Sequence, residues 1–182
     1  MKKRVKQLSA SKLDLAGVIR ESIVDGPGFR FVVFCQGCPH DCPGCHNMST
    51  HEFHCGKQTD IGKILDAVDE DPLLQGVTFS GGEPFCQAEA LADLAQGIKA
   101  KERPLDIVTF TGYTYEELLK MSAADANVGR LMGLCDLIID GRYVEAQRDL
   151  SLKFRGSRNQ RIIDMQATRR EGKIVLAEEY MS

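Results

Sequence analysis

Apolar positions recur along this chain with two different periods. Short, nearly continuous apolar runs are typical of buried strands, and apolar residues spaced three and four apart are typical of helices. The strand-like runs lie at residues 13–19, 30–35, 76–79, 106–110 and 136–140, with two shorter ones at 161–164 and 173–176. The helical faces are Ile61, Ile64, Leu65 and Val68, then Leu91, Leu94, Ala95 and Ile98, then Val128, Leu131, Met132 and Cys135. These patterns predict strands and helices in alternation.

The alternation predicts an α/β fold built from parallel β-α-β units. Thr114 and Glu117 have the spacing of a capping box, which predicts one more helix after residue 114. A closed eight-stranded barrel typically needs about 250 residues, so 182 residues fit a partial, open (β/α) barrel of about five or six units better. We therefore expect one domain over residues 1–182, with its core at about 13–177 and a basic N-terminal extension at 1–12.

Polar motifs follow four of the predicted strands. They are the cysteine-rich segment 35–45, the turn Ser-Gly-Gly-Glu-Pro at 80–84, Thr111-Gly112, and Asp140-Gly141-Arg142. In open α/β sheets, ligands bind at the carboxyl ends of the parallel strands. We therefore expect the four motifs to converge on one rim of the sheet.

Composition and charge bear on where the protein is located and on which classes of partner it binds. Hydrophobic residues make up 43% of the chain and charged residues 27%, and the net charge is −3. No apolar run approaches the roughly 20 residues that a membrane span needs, and the basic N-terminus lacks the apolar stretch of a signal peptide. We expect a cytoplasmic protein with neither a membrane nor nucleic acid as a partner.

The seven cysteines are unevenly distributed, and four of them lie within residues 35–45. In a reducing compartment, clustered cysteines act as metal ligands or redox groups more often than as disulfides. The other three, Cys55, Cys86 and Cys135, are expected to be small buried apolar residues.

The spacing of the cysteines within residues 35–45 bears on whether this segment holds an iron–sulfur cluster or a zinc ion. Cys38, Cys42 and Cys45 can hold three irons of a cubane cluster, which leaves the fourth iron open to a substrate or cofactor. Cys35 is expected to be a buried thiol beside that site, and the alternative is that it provides a fourth ligand. A zinc site made of Cys and His ligands also remains open, although structural zinc sites usually have two well-separated cysteine pairs.

The spacing Cys38-x3-Cys42-x2-Cys45 after an early strand resembles the signature of the radical S-adenosylmethionine (SAM) superfamily. The turn 80–84 resembles the glycine-rich motif that binds the SAM amino group in that superfamily. The resemblance implies a [4Fe–4S] cluster on the three cysteines, with SAM on the open iron. The cofactor-binding residues that it implies are Gly44, Cys45, His46, Gly81, Gly82 and Glu83. Gly44 departs from the pattern, because this position is often aromatic in the superfamily.

A narrower resemblance covers residues 18–164. Residues 21–38 and 45–47 resemble the glycyl-radical-enzyme activating proteins, and residues 109–113 and 156–163 resemble those that activate the anaerobic ribonucleoside-triphosphate reductase. This implies an enzyme that reductively cleaves SAM and uses the 5′-deoxyadenosyl radical to form a glycyl radical on that reductase. An electron donor such as flavodoxin or ferredoxin is implied as a second partner.

Three further residues are expected at the cofactor rim. Arg142 is a candidate partner for the SAM carboxylate, Thr111 for the ribose or the amino acid part, and Asp140 for orienting either one. The basic loop 153–161 is expected to serve the cofactor rim or partner docking. Three alternatives remain open: an activase of another glycyl radical enzyme, a small-molecule radical SAM enzyme similar to the 7-deazaguanine synthases, and a zinc-bound interaction module.

Overall fold

The computed structural model describes residues 11–181, so most of the predicted N-terminal extension at 1–12 lies outside the described residues. The strands are β1 (Lys12–Ser22), β2 (Arg30–Cys35), β3 (Lys57–Asp60), β4 (Gly76–Gly81), β5 (Asp106–Phe110), β6 (Leu137–Asp140) and β7 (Arg161–Asp164). The helices are α1 (Ile61–Asp69), α2 (Ala88–Lys99), α3 (Tyr115–Ala124), α4 (Ala126–Leu134) and α5 (Met165–Glu171). The α/β prediction is confirmed.

The seven strands form one mixed sheet in the order β3-β1-β2-β4-β5-β6-β7. Its centre is parallel, because β2, β4, β5 and β6 pair in that order and in the same direction. The outer strands β1, β3 and β7 are each antiparallel to their neighbours. The connection between β1 and β2, residues 23–29, is far too short for the crossover of a dozen or more residues that parallel neighbours require.

Helices α1, α2 and α4 bury the apolar faces that the sequence predicts. Leu91, Leu94 and Ile98 of α2 are fully buried in the same core cluster as Val77 and Phe79 of β4. Burying one such side chain contributes about 1.5–3 kcal/mol to stability. The capping box is also present: the Thr114 side chain accepts from the Glu117 amide, and the Glu117 side chain accepts from the Thr114 amide.

Two elements differ from the prediction near the chain ends. The expected strand at 173–176 is wrong, since Leu176 forms only an isolated bridge with Ile163. Helix α5 occupies the preceding residues, where the Asp164 side chain accepts from the Ala167 amide and the helix ends at Gly172 with φ +68°. The polar edge strand β3 was not predicted. Among the helices within residues 11–181, none is long and apolar enough to cross a membrane.

The parallel centre places four chain segments at one edge of the sheet. Strands β2, β4, β5 and β6 all point the same way, so their carboxyl ends meet there. Cys35 at the end of β2 is in register with Gly81 at the end of β4. The cysteine-rich segment and the turn 80–84 therefore leave the sheet side by side.

Candidate functional site

Residues 36–51 form a loop, here called the cysteine loop, that leaves β2 and closes on itself. The Gly37 amide donates to the Thr50 carbonyl at 2.8 Å, and the Cys38 amide donates to the His51 carbonyl at 2.9 Å. Farther out, the Cys45 amide donates to the Cys42 carbonyl at 3.1 Å. These bonds fix the base of the loop at Cys38 and form a tight turn between Cys42 and Cys45.

The three thiols are free and partly exposed. Burial raises the pKa of the Cys38 thiol to about 11, and burial also raises the pKa of Cys42. The main chain of His40 partly offsets the effect of burial on the pKa of Cys38, and the main chain of Tyr143 does the same for Cys42. The Cys45 sulfur accepts a hydrogen bond from the Asn47 amide at 3.4 Å. Amide contacts of this kind are among the features that set the properties of iron–sulfur clusters.

The loop borders a cleft of about 490 Å³, here called the main cleft. All four predicted motifs contribute to its lining. The cysteine loop and the turn 80–84 do so directly after β2 and β4, and the other two motifs contribute Gly112 and Gly141. The predicted site residues in that lining are Cys38, Cys42, Cys45, His46, Gly82 and Thr111. The other predicted residues lie outside this lining: Gly44, Gly81, Glu83, Asp140 and Arg142.

The donor set suits an iron–sulfur cluster. Within residues 11–181, no three His, Cys, Asp or Glu side chains converge so that they could hold one metal ion. A cubane cluster does not require such convergence, because each cysteine binds a different iron. Three partly exposed thiols that line one cleft are therefore compatible with a cluster that keeps one iron free of protein ligands.

Gly44 is explained by its neighbours. Its φ of +74° is left-handed, and a Cβ there would lie 2.1 Å from Oε2 of Glu145. Tyr143 donates to that same oxygen at 2.6 Å, and its ring centroid lies 5.4 Å from that of His46. Glycine at position 44 therefore leaves room for the segment that follows β6. Tyr143 of that segment places an aromatic ring in the lining of the main cleft.

The turn 80–84 is tied to the cysteine loop through its backbone. The Gly82 amide donates to the Cys35 carbonyl and the Glu83 amide to the Gly37 carbonyl, both at 2.8 Å. A Cβ at Gly82 would lie 2.3 Å from the Gly37 carbonyl oxygen, and Gly81 has φ +92°. Both glycines are needed where the two segments approach each other.

The Glu83 carboxylate is fully buried and points into the protein. One oxygen accepts from the Phe85 amide at 3.0 Å and from the Thr111 hydroxyl at 2.9 Å. The other accepts from the Gly112 amide at 2.8 Å and from His40 Nε2 at 2.7 Å. Its contacts are thus internal ones that join three segments at the rim of the sheet.

Asp140 and Arg142 face a second cleft of about 500 Å³ beside the first. The buried Asp140 carboxylate accepts from the Tyr115 amide at 2.8 Å and from Arg161 Nε at 3.0 Å. Arg161 also donates to Glu116 of α3. Arg142 is exposed and lines this second cleft, which shares Gly112 and Gly141 with the main cleft.

The remaining cysteines fall into two groups. Cys35 and Cys135 are fully buried, as predicted, and burial raises the pKa of the Cys35 thiol far above its ordinary value. The prediction is wrong for Cys55 and Cys86, which are exposed. Cys55 lies in the segment just before β3, and Cys86 in the short turn that leads into α2, so neither side chain reaches the core.

The basic loop 153–161 uses its cations internally. Arg155 is buried and donates to the Gln160 carbonyl at 3.1 Å and the Met181 carbonyl at 2.8 Å. Arg158 pairs with Asp149 at 2.9 Å. Arg155 also lines the main cleft, and it forms no salt bridge with any residue in the described part of the chain.

The sequence predicted no individual role for His40 or Tyr143. For Arg155 it predicted only the role of the whole basic loop 153–161, at the cofactor rim or in partner docking. His40 carries a signal, because it lies between two of the candidate cluster ligands. Tyr143 directly follows Arg142, so its proximity to the rim was readable, but its contact with His46 depends on how the loop after β6 folds back. The charge of the basic loop indicated a place at the rim, but it did not show that Arg155 in particular lines the main cleft.

Comparison with known proteins agrees with this geometry. A family model described as a 4Fe-4S single cluster domain matches residues 24–163. The anaerobic ribonucleoside-triphosphate reductase-activating protein of Vibrio cholerae is 35% identical over 144 residues, which cover 76% of this chain and 89% of that protein. The proteins of the same name from Escherichia coli strain K12 and enterobacteria phage T4 are 38% and 32% identical, and the matches cover 76% of this chain and 90% and 86% of theirs. The chain therefore belongs to the family of the anaerobic ribonucleoside-triphosphate reductase-activating proteins.

Proposed function

We propose that this chain is a radical SAM activase that forms a glycyl radical on the anaerobic ribonucleoside-triphosphate reductase in the cytoplasm. The observation that carries the proposal is the placement of three free cysteines and the glycine turn around one cleft at the carboxyl ends of the parallel strands. The names of the relatives support the reductase as the partner.

The mixed sheet is compatible with the partial, open barrel that this function implies. In that barrel, the four parallel strands and the helices between them would form the wall, and the antiparallel strands β1, β3 and β7 would extend it on either side. The sheet order ends at β3 on one side and β7 on the other. A cleft on an open sheet can admit a segment of another protein, which a closed barrel would exclude.

Cys38, Cys42 and Cys45 are the residues that would hold a [4Fe–4S] cluster. When bound, the cluster and SAM supply a one-electron reductive cleavage that yields methionine and a 5′-deoxyadenosyl radical, which takes a hydrogen atom from a glycine of the partner. An electron donor such as flavodoxin or ferredoxin would provide the electron. The protein's own task is to hold these groups in place and to exclude water.

SAM binding is proposed for residues around the main cleft. Gly82 and Thr111 lie on the sheet side, and the backbone of residues 44–46 would lie beside the adenine. Because its carboxylate is buried, Glu83 would support SAM binding indirectly, by holding in place the segments that it joins. Arg142 was the expected partner of the SAM carboxylate, and Arg155 is a second candidate. We favour Arg155 because it lines the same cleft as the cysteines and has no salt-bridge partner among the described residues.

The mouth of the main cleft carries exposed apolar side chains that suit contact with another protein. Ile19, Val24 and Leu150 line it and are 43%, 72% and 83% exposed. Clustered exposed apolar residues are a common mark of interaction surfaces. We propose that they contact the glycine-bearing segment of the reductase.

Anaerobic SAM cleavage tests this function. The chain is reconstituted with iron and sulfide, reduced, mixed with SAM, and assayed for 5′-deoxyadenosine. The proposal predicts cleavage that needs the reductant and is lost in Cys42→Ala, and exposed Cys55→Ala is the matched control. Tightly bound zinc after anaerobic purification, without SAM cleavage under any reducing condition, would contradict it.

A further inference from the structure

His40 lies between two candidate cluster ligands, yet its side chain faces away from solvent. The imidazole is only 4% exposed, and its Nε2 donates to Glu83 Oε2 at 2.7 Å. Its ring also packs edge-on against Tyr113 with the centroids 4.5 Å apart. The outer turn of the cysteine loop is therefore anchored through a side chain as well as through its base.

The partner of His40 is itself fixed from several directions. The Glu83 carboxylate also accepts from Thr111 and Gly112, which follow β5, and from Phe85 in its own turn. A buried carboxylate with this many donors has little freedom to move. The His40–Glu83 contact thus connects the cysteine loop to a rigid part of the sheet rim.

A glycine opposite His40 is shaped to accept the ring. A Cβ at Gly112 would lie 2.3 Å from His40 Cδ2 and 2.6 Å from its Nε2. No backbone strain is involved, because Gly112 is not among the glycines with positive φ. The absence of a side chain at position 112 therefore leaves room for the His40 imidazole.

We propose that His40 is a positioning residue: its contact with Glu83 sets where the three cysteines stand relative to the turn 80–84. This inference rests on the proposed function, since that turn is where the SAM amino group is expected. Without the contact, the loop keeps its three thiols and its base, but its outer turn is no longer held against the sheet. Cluster assembly would then survive better than productive SAM binding.

The test compares four variants with wild type. His40→Ala removes the contact, and His40→Gln retains an amide donor near the position of Nε2. Gly112→Ala displaces the ring from the opposite side without changing either partner. His54→Asn is the matched control, because it removes an exposed imidazole from the segment just after the loop, and Asn tolerates the positive φ at that position.

Two readouts are needed. Hydrogen exchange of residues 36–51 in the cluster-free chain reports how firmly the loop is held. Iron content and the EPR spectrum of the reduced cluster during a SAM titration report assembly and SAM affinity separately. A residue with a purely structural role would lower iron content and SAM affinity together.

We expect His40→Ala and Gly112→Ala to exchange faster in the loop. We also expect both to bind SAM about 10- to 100-fold more weakly, by analogy with the loss of activity when groups that orient metal ligands are removed. His40→Gln should recover most of the affinity, and His54→Asn should match wild type. Loss of iron in His40→Ala in step with the loss of SAM affinity would instead show a purely structural role and would overturn the proposal.

Wild-type exchange and SAM affinity in His40→Ala would overturn the proposal, and so would a His40→Gln variant as impaired as His40→Ala. If His40→Ala fails to fold, His40→Gln and Gly112→Ala decide the question by the same criteria. If wild type itself takes up no cluster or no SAM, the proposed function fails. The exchange experiment on the cluster-free chain then still shows whether His40 holds the loop.

Discussion

At the scale of single residues, the cysteines of the segment 35–45 stand in two environments. Cys35 is fully buried in the core cluster, whereas Cys38, Cys42 and Cys45 are partly exposed around the main cleft. A thiol must lose its proton to bind iron, and a fully buried thiol in apolar surroundings resists that loss. The burial of Cys35 therefore separates it from the three candidate ligands.

This difference predicts opposite results for two matched substitutions. Cys35→Ala should keep its iron and sulfide after reconstitution and lose roughly 1 kcal/mol of stability, as small core substitutions do. Cys38→Ala should lose most of its iron, because one of the three thiolates is gone. Iron and acid-labile sulfide analysis, together with urea denaturation of the cluster-free proteins, measures both. Equal iron loss in the two variants would make Cys35 a ligand.

At the scale of the element, helix α3 is joined to strand β7 across the second cleft by a charge network. Arg161 donates to Asp140 and to Glu116, and Thr114 caps the helix. The hydrogen bonds from Arg161 lower the pKa of Glu116 to about 2 from its ordinary 4.5. The network fixes the start of α3 directly after Thr111 and Gly112 of the rim.

The depressed pKa of Glu116 gives this contact a defined pH dependence. Its stabilisation is fully present above about pH 4.5 and is lost as the pH falls towards 2, because protonation removes the charge. Since Glu116 is mostly exposed, Glu116→Gln should cost less than about 1 kcal/mol at pH 7. Urea denaturation at several pH values checks this. A difference between the two proteins that grows on acidification would contradict the assignment.

Elements with a strong apolar pattern could be predicted from the sequence, and polar ones could not. Strands β2 and β5 have the predicted bounds, since their buried residues form continuous runs. Strand β3 is Lys-Gln-Thr-Asp at the sheet edge, where main-chain pairing with β1 rather than burial stabilises it. Apolar pattern also carries no strand direction, so the antiparallel pairing of β1 was not visible in it.

The candidate site was predictable to the level of motifs. Strand order and strand ends place the four motifs on one rim, and the structure brings them together around the main cleft. The sequence could not show which way each side chain points. Glu83 faces inward to His40 and Thr111, and Arg142 faces the neighbouring cleft, because tertiary contacts decide both orientations.

At the scale of the whole molecule, the two edges of the parallel sheet differ in character. The carboxyl edge carries the thiols and the glycine turn, and the exposed Leu150 lies in the loop that follows β6 at this edge. Ile19 and Val24 line the same cleft from β1 and the segment after it, which run back towards the start of β2. Leu73, which precedes β4 and is 72% exposed, belongs to the opposite edge. We expect a partner that presents a glycine near the thiols to contact Leu150 at the carboxyl edge and not Leu73.

This asymmetry predicts that a charge on the rim impairs the partner reaction alone. Leu150→Asp should lower the yield of glycyl radical on the reductase about tenfold, a typical loss for one well-placed interface residue. SAM cleavage without the reductase should remain as in wild type. Leu73→Asp is the control and should change neither. Equal effects of the two variants on the reductase would show that the rim does not contact it.

The central claim is that this chain makes a radical on another protein, and EPR tests it most directly. The reconstituted, reduced protein is incubated anaerobically with SAM and the anaerobic ribonucleoside-triphosphate reductase, and the reductase is examined for a glycyl radical. The account predicts a glycyl doublet that requires SAM and reductant and is missing with Cys38→Ala. Cleavage of SAM by wild type without any radical on the reductase would contradict the claim.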